Sequence, residues 1–188
     1  MLSGRRLDLL DPRPENIEIA DIAHGLARVA RWNGQTTGAH AFSVAQHTLL
    51  VERIVDERDD RGGGKQLRLA AMLHDAPEYV VGDLISPFKA ALGIDYKVFE
   101  NRLLAAIHVR FGLPAALPEA WTSAIKDADR TAAYWEATRL AGFSVDEALT
   151  YFGAPDRAAE HPPEVTEAWS TADAQSRFLA RFTALGGT

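Results

Sequence analysis

The amino-acid sequence predicts an all-α fold, and three observations predict it. Apolar residues recur at spacings of three, four and seven over several long stretches, as a helix with one buried face requires. No stretch alternates apolar and polar residues with the period of two that a half-buried strand needs, and no hairpin signal appears. Glycines and prolines gather between the periodic stretches, where they punctuate rather than interrupt. At 188 residues the chain is long enough for one compact helical domain, residues 1–188, with its own core. No internal repeat marks a second domain.

The elements follow in order. Residues 1–18, with Pro12 and Pro14, read as an extended N-terminal arm or lead-in turn. From Ile19 to Ala30 the spacing predicts a helix, and Asp21 lies in its first turn, where a negative charge suits the helix dipole. The stretch RWNGQTTG, Arg31 to Gly38, is a loop. A second helix is expected over about Phe42 to Glu57, with Val44, His47, Val51 and Val55 on one face. The run Gly62-Gly63-Gly64 breaks the chain. A third helix starts near Lys65, turns Leu69, Ala70 and Leu73 inward, and ends near His74-Asp75. Pro77, Gly82 and Pro87 make the next segment a series of turns with one brief helical turn. A long helix follows over about Asp95 to Phe111, with Phe99, Leu103, Ala106 and Ile107 as its apolar stripe. Pro114 and Pro118 precede the next, which runs to about Leu140. The core is thus expected over 19–141. A polar, proline-containing segment covers Ala154 to Pro163. The last helix is expected from Val165 to Leu185, within 164–185, with Trp169, Ala172, Leu179 and Phe182 as contacts. That makes about six or seven helices.

Composition narrows the function. Apolar residues make up 47% of the chain and charged residues 24%, ordinary for a water-soluble globule. The net charge of −6 argues against a nucleic-acid polymer as partner, because such proteins carry a basic surface that displaces counterions. With no cysteine, disulfides and thiolate metal sites are both excluded. The N-terminus has no continuous apolar stretch behind Arg5 and Arg6, and no segment approaches the length of a membrane span. A cytoplasmic enzyme or binding protein is the expectation, with no membrane partner.

Four positions carry metal-binding groups where a helical protein ordinarily buries apolar ones. His47 shares its face with three valines. His74-Asp75 closes the apolar run LRLAAML. Asp129 lies in IKDADRTAA among Ile125, Ala128, Ala132 and Ala133, while Asp127 points about 200° away and should face solvent. A buried carboxylate is costly unless paired or metal-bound. Two histidines with two aspartates suit a divalent transition ion. A lone inward histidine is also compatible with a core residue bonded to backbone, and an inward aspartate with a cap or an arginine partner. Composition and spacing alone leave both readings open.

The order of a helical histidine, an HD pair at a helix end and a distant aspartate in an ADR-type helix resembles the HD-domain phosphohydrolase superfamily. More narrowly, RWN, SVAQH, HDAPEYVVGDLISPFK and KDADR together resemble its bacterial and phage 5′-deoxynucleotidase branch, over roughly residues 20–140. The resemblance implies a single HD-domain helical bundle and one divalent transition metal ion (cobalt, manganese, zinc or iron), held by His47, His74, Asp75 and Asp129. It implies catalytic roles for Glu78 and Asp83 near the attacking water. It places Arg31 and Trp32 at the entrance, Arg31 toward phosphate and Trp32 toward the sugar, with Ser86 and Lys89 as further substrate contacts. His24, His40, His108 and His161 receive no role. The implied activity is release of inorganic phosphate from deoxynucleoside monophosphates by metal-activated water. Close alternatives are a deoxynucleoside triphosphate triphosphohydrolase, an alarmone hydrolase and a non-catalytic nucleotide sensor. The implied partners are a small nucleotide and further copies of the chain, as a homodimer or higher homo-oligomer.

Overall fold

The computed structural model describes residues 1–58, 63–84, 94–155, 165 and 167–187. Among them are eight α-helices: α1 Ile19–Leu26, α2 Val44–Glu57, α3 Gly64–Met72, α4 Glu78–Val81, α5 Ile94–Arg110, α6 Glu119–Arg139, α7 Val145–Phe152 and α8 Thr171–Ala184. No strand occurs among the described residues; one antiparallel bridge joins Ala30 to Ser43. The all-α expectation holds.

The central element is α2. Ser43 caps it, its hydroxyl accepting a hydrogen bond from the Gln46 amide at 3.2 Å. Every residue from Val44 to Glu52 is buried, because α1, α3, α6 and α8 all pack against this helix. One apolar cluster runs from Ile17 through Leu50, Leu73, Ile107 and Ile125 to Leu185. A buried carboxylate ties three helices beneath it. Glu52 accepts from Arg68 of α3 at 2.8 Å and, through both oxygens, from Arg181 of α8 at 2.8 Å.

Helix α1 stops at Leu26, short of the expected Ala30, because the chain turns to pair Ala30 with Ser43. It lies against α4 at a close approach that Gly25 permits. A β-carbon there would stand 2.7 Å from the Tyr79 Cβ and 2.8 Å from the Tyr79 carbonyl oxygen.

Two C-terminal features differ from expectation. Helix α7 falls in a stretch given no element above. Ser144 and Glu147 form a reciprocal capping box at its start, a pattern visible as S-x-x-E. Helix α8 begins at Thr171 rather than Val165, since Ser170 caps it, accepting from the Asp173 amide at 3.1 Å. Its inner face is therefore Ala174, Phe178 and Phe182, and Ala172 is exposed. That stripe is spent against α1 and α2. The segment ahead of α8 is held by the buried Gln46 amide, which donates to the Glu167 carbonyl at 2.8 Å and accepts from the Trp169 amide at 2.9 Å. No helix among the described residues is long and apolar enough to cross a membrane.

Candidate metal centre

Three separate stretches bring four side chains together. His47 sits one turn into α2, fully buried. His74 and Asp75 follow α3 in a tight turn, where short backbone bonds such as Ala76 N–H to the Leu73 carbonyl (3.0 Å) link α3 to α4. Asp129 lies midway along α6. His47 Nε2 is 3.2 Å from Asp129 Oδ1 and 3.5 Å from Asp75 Oδ2. His74 Nε2 is 3.2 Å from Asp75 Oδ2 and 4.0 Å from Asp129 Oδ1. One ligand atom from each of His47, His74 and Asp75 lies within 4.8 Å of the others. Asp127 faces outward, as its angle on the helix requires.

The imidazoles show that this set fits a cation. His47 Nδ1 meets Glu136 Oε1 at 2.6 Å, and His74 Nδ1 meets the Ala71 carbonyl at 2.8 Å. Both partners only accept, so each Nδ1 carries the proton and donates it. A cation that displaces the second ring proton finds the lone pair of each Nε2 turned into the cluster, and both Nε2 atoms are buried without a hydrogen-bond partner. An outer partner on one ring nitrogen and an open lone pair on the other is the arrangement of metal-binding histidines. With two carboxylates alongside and no sulfur, the donors suit one divalent transition ion.

The electrostatics agree. Burial pushes His47 down and Arg31 adds to that, but Glu136 and Asp129 outweigh both and hold its pKa up to about 10. His74 is likewise raised; burial opposes the shift and neighbouring Asp75 drives it. Burial would raise Asp75 and Asp129, yet the adjacent histidines pull both down. Glu136, buried beside Arg31 and His47, is lowered to about 2. The cluster is thus a pocket of excess negative charge that demands positive charge, from protons or from an ion competing with them.

Around it stand the remaining residues. Trp32 and Asn33 adopt left-handed backbone conformations, with φ of 56° and 51°. This turn aims Arg31 inward: Nη1 is 3.7 Å from Asp75 Oδ2 and 3.9 Å from Asp83 Oδ2, and Nε donates to Glu136 Oε2 at 3.2 Å. The Trp32 indole N–H donates to the same Glu136 oxygen at 2.9 Å. Its ring meets Phe143 and Phe152 edge-on, at 5.5 and 5.7 Å between centroids. The contacts of Trp32 are therefore with the protein's own aromatic residues. Glu78 is buried at the start of α4, its amide bonded to the Asp75 carbonyl at 3.0 Å. Ser86 and Lys89 lie outside the described residues.

Glu136 was not singled out from the sequence, although it gathers His47, Arg31 and Trp32 on one carboxylate. The available signal was its place seven residues after Asp129, two turns along the same helix face.

Comparison with known proteins agrees with this geometry. A family model described as 5′-deoxynucleotidase YfbR-like matches residues 22–142, a span containing all four candidate ligands and Glu136. An uncharacterized protein of Rhodobacter capsulatus is 57% identical over 178 residues, 90% of either chain. The uncharacterized protein YfdR of Escherichia coli is 33% identical over 103 residues, covering 55% of this chain and 52% of that one. By the family match and by the histidine–aspartate cluster it encloses, this chain belongs to the YfbR-like 5′-deoxynucleotidase family of the HD-domain superfamily.

Proposed function

We propose that the protein is a metal-dependent 5′-deoxynucleotidase, releasing inorganic phosphate from deoxynucleoside 5′-monophosphates. The observation that carries this reading is the pair of buried, unpartnered Nε2 atoms of His47 and His74, aimed at the carboxylates of Asp75 and Asp129. These four residues would hold one divalent ion, with cobalt, manganese, zinc and iron all compatible. When bound, the ion supplies positive charge that draws a phosphoryl oxygen and increases the acidity of water.

The chain's own residues supply the rest. Arg31 directs its guanidinium fork to phosphate oxygens, and the turn at Trp32 and Asn33 fixes that direction. Glu78, one turn after Asp75, and Asp83, whose carboxylate faces Arg31, take the proton of the attacking water and return it to the departing 5′ oxygen as the P–O bond breaks. Glu136 keeps the His47 proton on Nδ1, so that the outer nitrogen stays free to coordinate.

The test is incubation of purified protein with manganese or cobalt and deoxynucleoside mono- and triphosphates, with their ribo counterparts alongside. Inorganic phosphate from the deoxynucleoside monophosphates, abolished in Asp129→Ala and Glu78→Gln, is the expected result. Triphosphate released from deoxynucleoside triphosphates would move the cut to a different phosphorus. No product from any nucleotide by metal-loaded protein would overturn the reading. Self-association into a homodimer or larger assembly belongs to the same proposal, and light scattering measures it.

A further inference from the structure

A cavity of about 560 Å³ opens beside the candidate metal centre, with His74 and Asp129 among its walls. Volumes of this order accommodate small organic ligands. Its other walls are two helical stripes with the same period. Asn101, Leu104 and His108 line it from α5, and Thr122, Ile125 and Asp129 from α6, each set spanning two turns. The short connection between these helices lines it too, at residues 115–117. That connection fixes the polarity. His108 and Thr122 lie at the end nearest the connection, while Asn101 and Asp129 lie away from it. Seven residues of helix separate Asp129 from the Thr122 end, about 10 Å at 1.5 Å per residue.

His108 is the unexplained residue of this cavity. It is only 2% exposed, neither ring nitrogen has a side-chain partner among the described residues, and the Ala115 backbone lies within reach of one of them. With one backbone group in reach, at least one ring nitrogen stays unsatisfied, which is costly in a buried wall unless something arrives to meet it. Burial also holds its pKa below the ordinary value, with the nearby Ala115 backbone opposing. Burial favours the neutral imidazole, which offers one donor and one acceptor. A nucleobase edge carries the complementary pair.

We propose that this cavity receives the nucleoside of the substrate, with its phosphate end toward Asp129 and His74 and its base reaching His108, which reads the base edge. This deepens the nucleotidase reading and rests on it for the direction of the phosphate, but not for the existence of the cavity. The wall chemistry supports a nucleoside: Leu104 and Ile125 give apolar surface for a flat ring, and Asn101, His108, Thr122 and Lys126 give polar groups around it.

The test uses deoxynucleosides without phosphate, so that it needs no turnover. Thymidine, deoxyadenosine, deoxyguanosine and deoxycytidine are titrated into metal-loaded full-length protein by calorimetry. Wild-type protein should bind at least one of them. His108→Phe should weaken that binding about tenfold, the loss expected for hydrogen bonds to one side chain. Ala105→Phe, which puts a ring into the cavity and keeps the His108 side chain itself, should abolish it. Both variants should retain the metal content of the wild type, which separates a blocked cavity from a disrupted fold. No binding of any deoxynucleoside by wild-type protein, or unchanged affinity in Ala105→Phe, overturns the proposal. Phosphate release from 2-deoxyribose 5-phosphate, which has no base, tests the hydrolase reading separately: release without nucleoside binding sinks the cavity assignment alone.

Discussion

Replacing Glu136 by glutamine changes one oxygen to an amide and removes one charge, and its consequences can be followed atom by atom. In the native arrangement Oε1 accepts from His47 Nδ1 at 2.6 Å, while Oε2 accepts from Trp32 Nε1 at 2.9 Å and Arg31 Nε at 3.2 Å. All three partners are donors. A glutamine has one acceptor oxygen, so its NH₂ must face a donor on one side or the other. If the amide faces His47, the imidazole is pushed to its other tautomer, and the proton appears on Nε2, where the ion needs a lone pair. If it faces the entrance turn, Arg31 and Trp32 lose their anchor, and a buried guanidinium is left with less compensation. Loss of an outer partner of a metal-binding histidine typically weakens the metal about 10- to 100-fold, or roughly 1.4–2.7 kcal/mol. Glu136→Gln should therefore lower metal affinity into that range while keeping the helical content. Competition against a chromophoric chelator measures it. Affinity within twofold of the wild type would refute the assignment of Glu136 as the residue that orients His47.

Three further outcomes are expected. Glu52→Ala leaves Arg68 and Arg181 facing an empty site; with Arg181 33% exposed, the loss should be about 2–4 kcal/mol, below that of a fully buried pair, and denaturant unfolding showing less than 1 kcal/mol would contradict it. Tyr79 is raised to about 12, by burial first and by the charge of Asp21 second. A folded pKa above the unfolded one stabilises below about pH 10 and loses that contribution as pH rises toward 12, so Tyr79→Phe should remove a late step from the phenolate absorbance titration of the native protein. If the late step persists in that variant, the assignment is wrong. Gly25→Ala should destabilise by about 1–3 kcal/mol, because the clash is partly with the Tyr79 backbone and no rotamer change relieves it. It should also slow phosphate release, since α4 begins at Glu78; a fully stable, fully active variant would show that the helices part without cost.

What was legible in the sequence follows from how each residue signals its surroundings. His47 stands out because its helix neighbours at matching spacing are valines, and Asp129 is separated from Asp127 by helical angle alone. The helix spans were readable wherever a polar and an apolar face alternate, as in α2 and α6. Glu136 was not, and the reason is tertiary. Trp135, Glu136 and Ala137 are all buried in succession, which no single helix face allows. Glu136 is buried against α2, where His47 meets it, and α7 packs on α6 as well, so no polar face marks this end of the helix. The early start expected for α8 has a similar origin: Val165 and Ala168 are buried and continue an apolar rhythm, but the hydroxyl of Ser170 sets the first turn.

The aromatic brace on the entrance turn reaches further than its size suggests. Two successive residues other than glycine are kept in a left-handed conformation, at a cost of roughly 1–2 kcal/mol each. Phe152, beyond the family match at residues 22–142, helps to press Trp32 into place. Variation in a peripheral helix can therefore retune the reactive centre while every ligand is preserved. Relatives with identical inner residues need not work at the same speed.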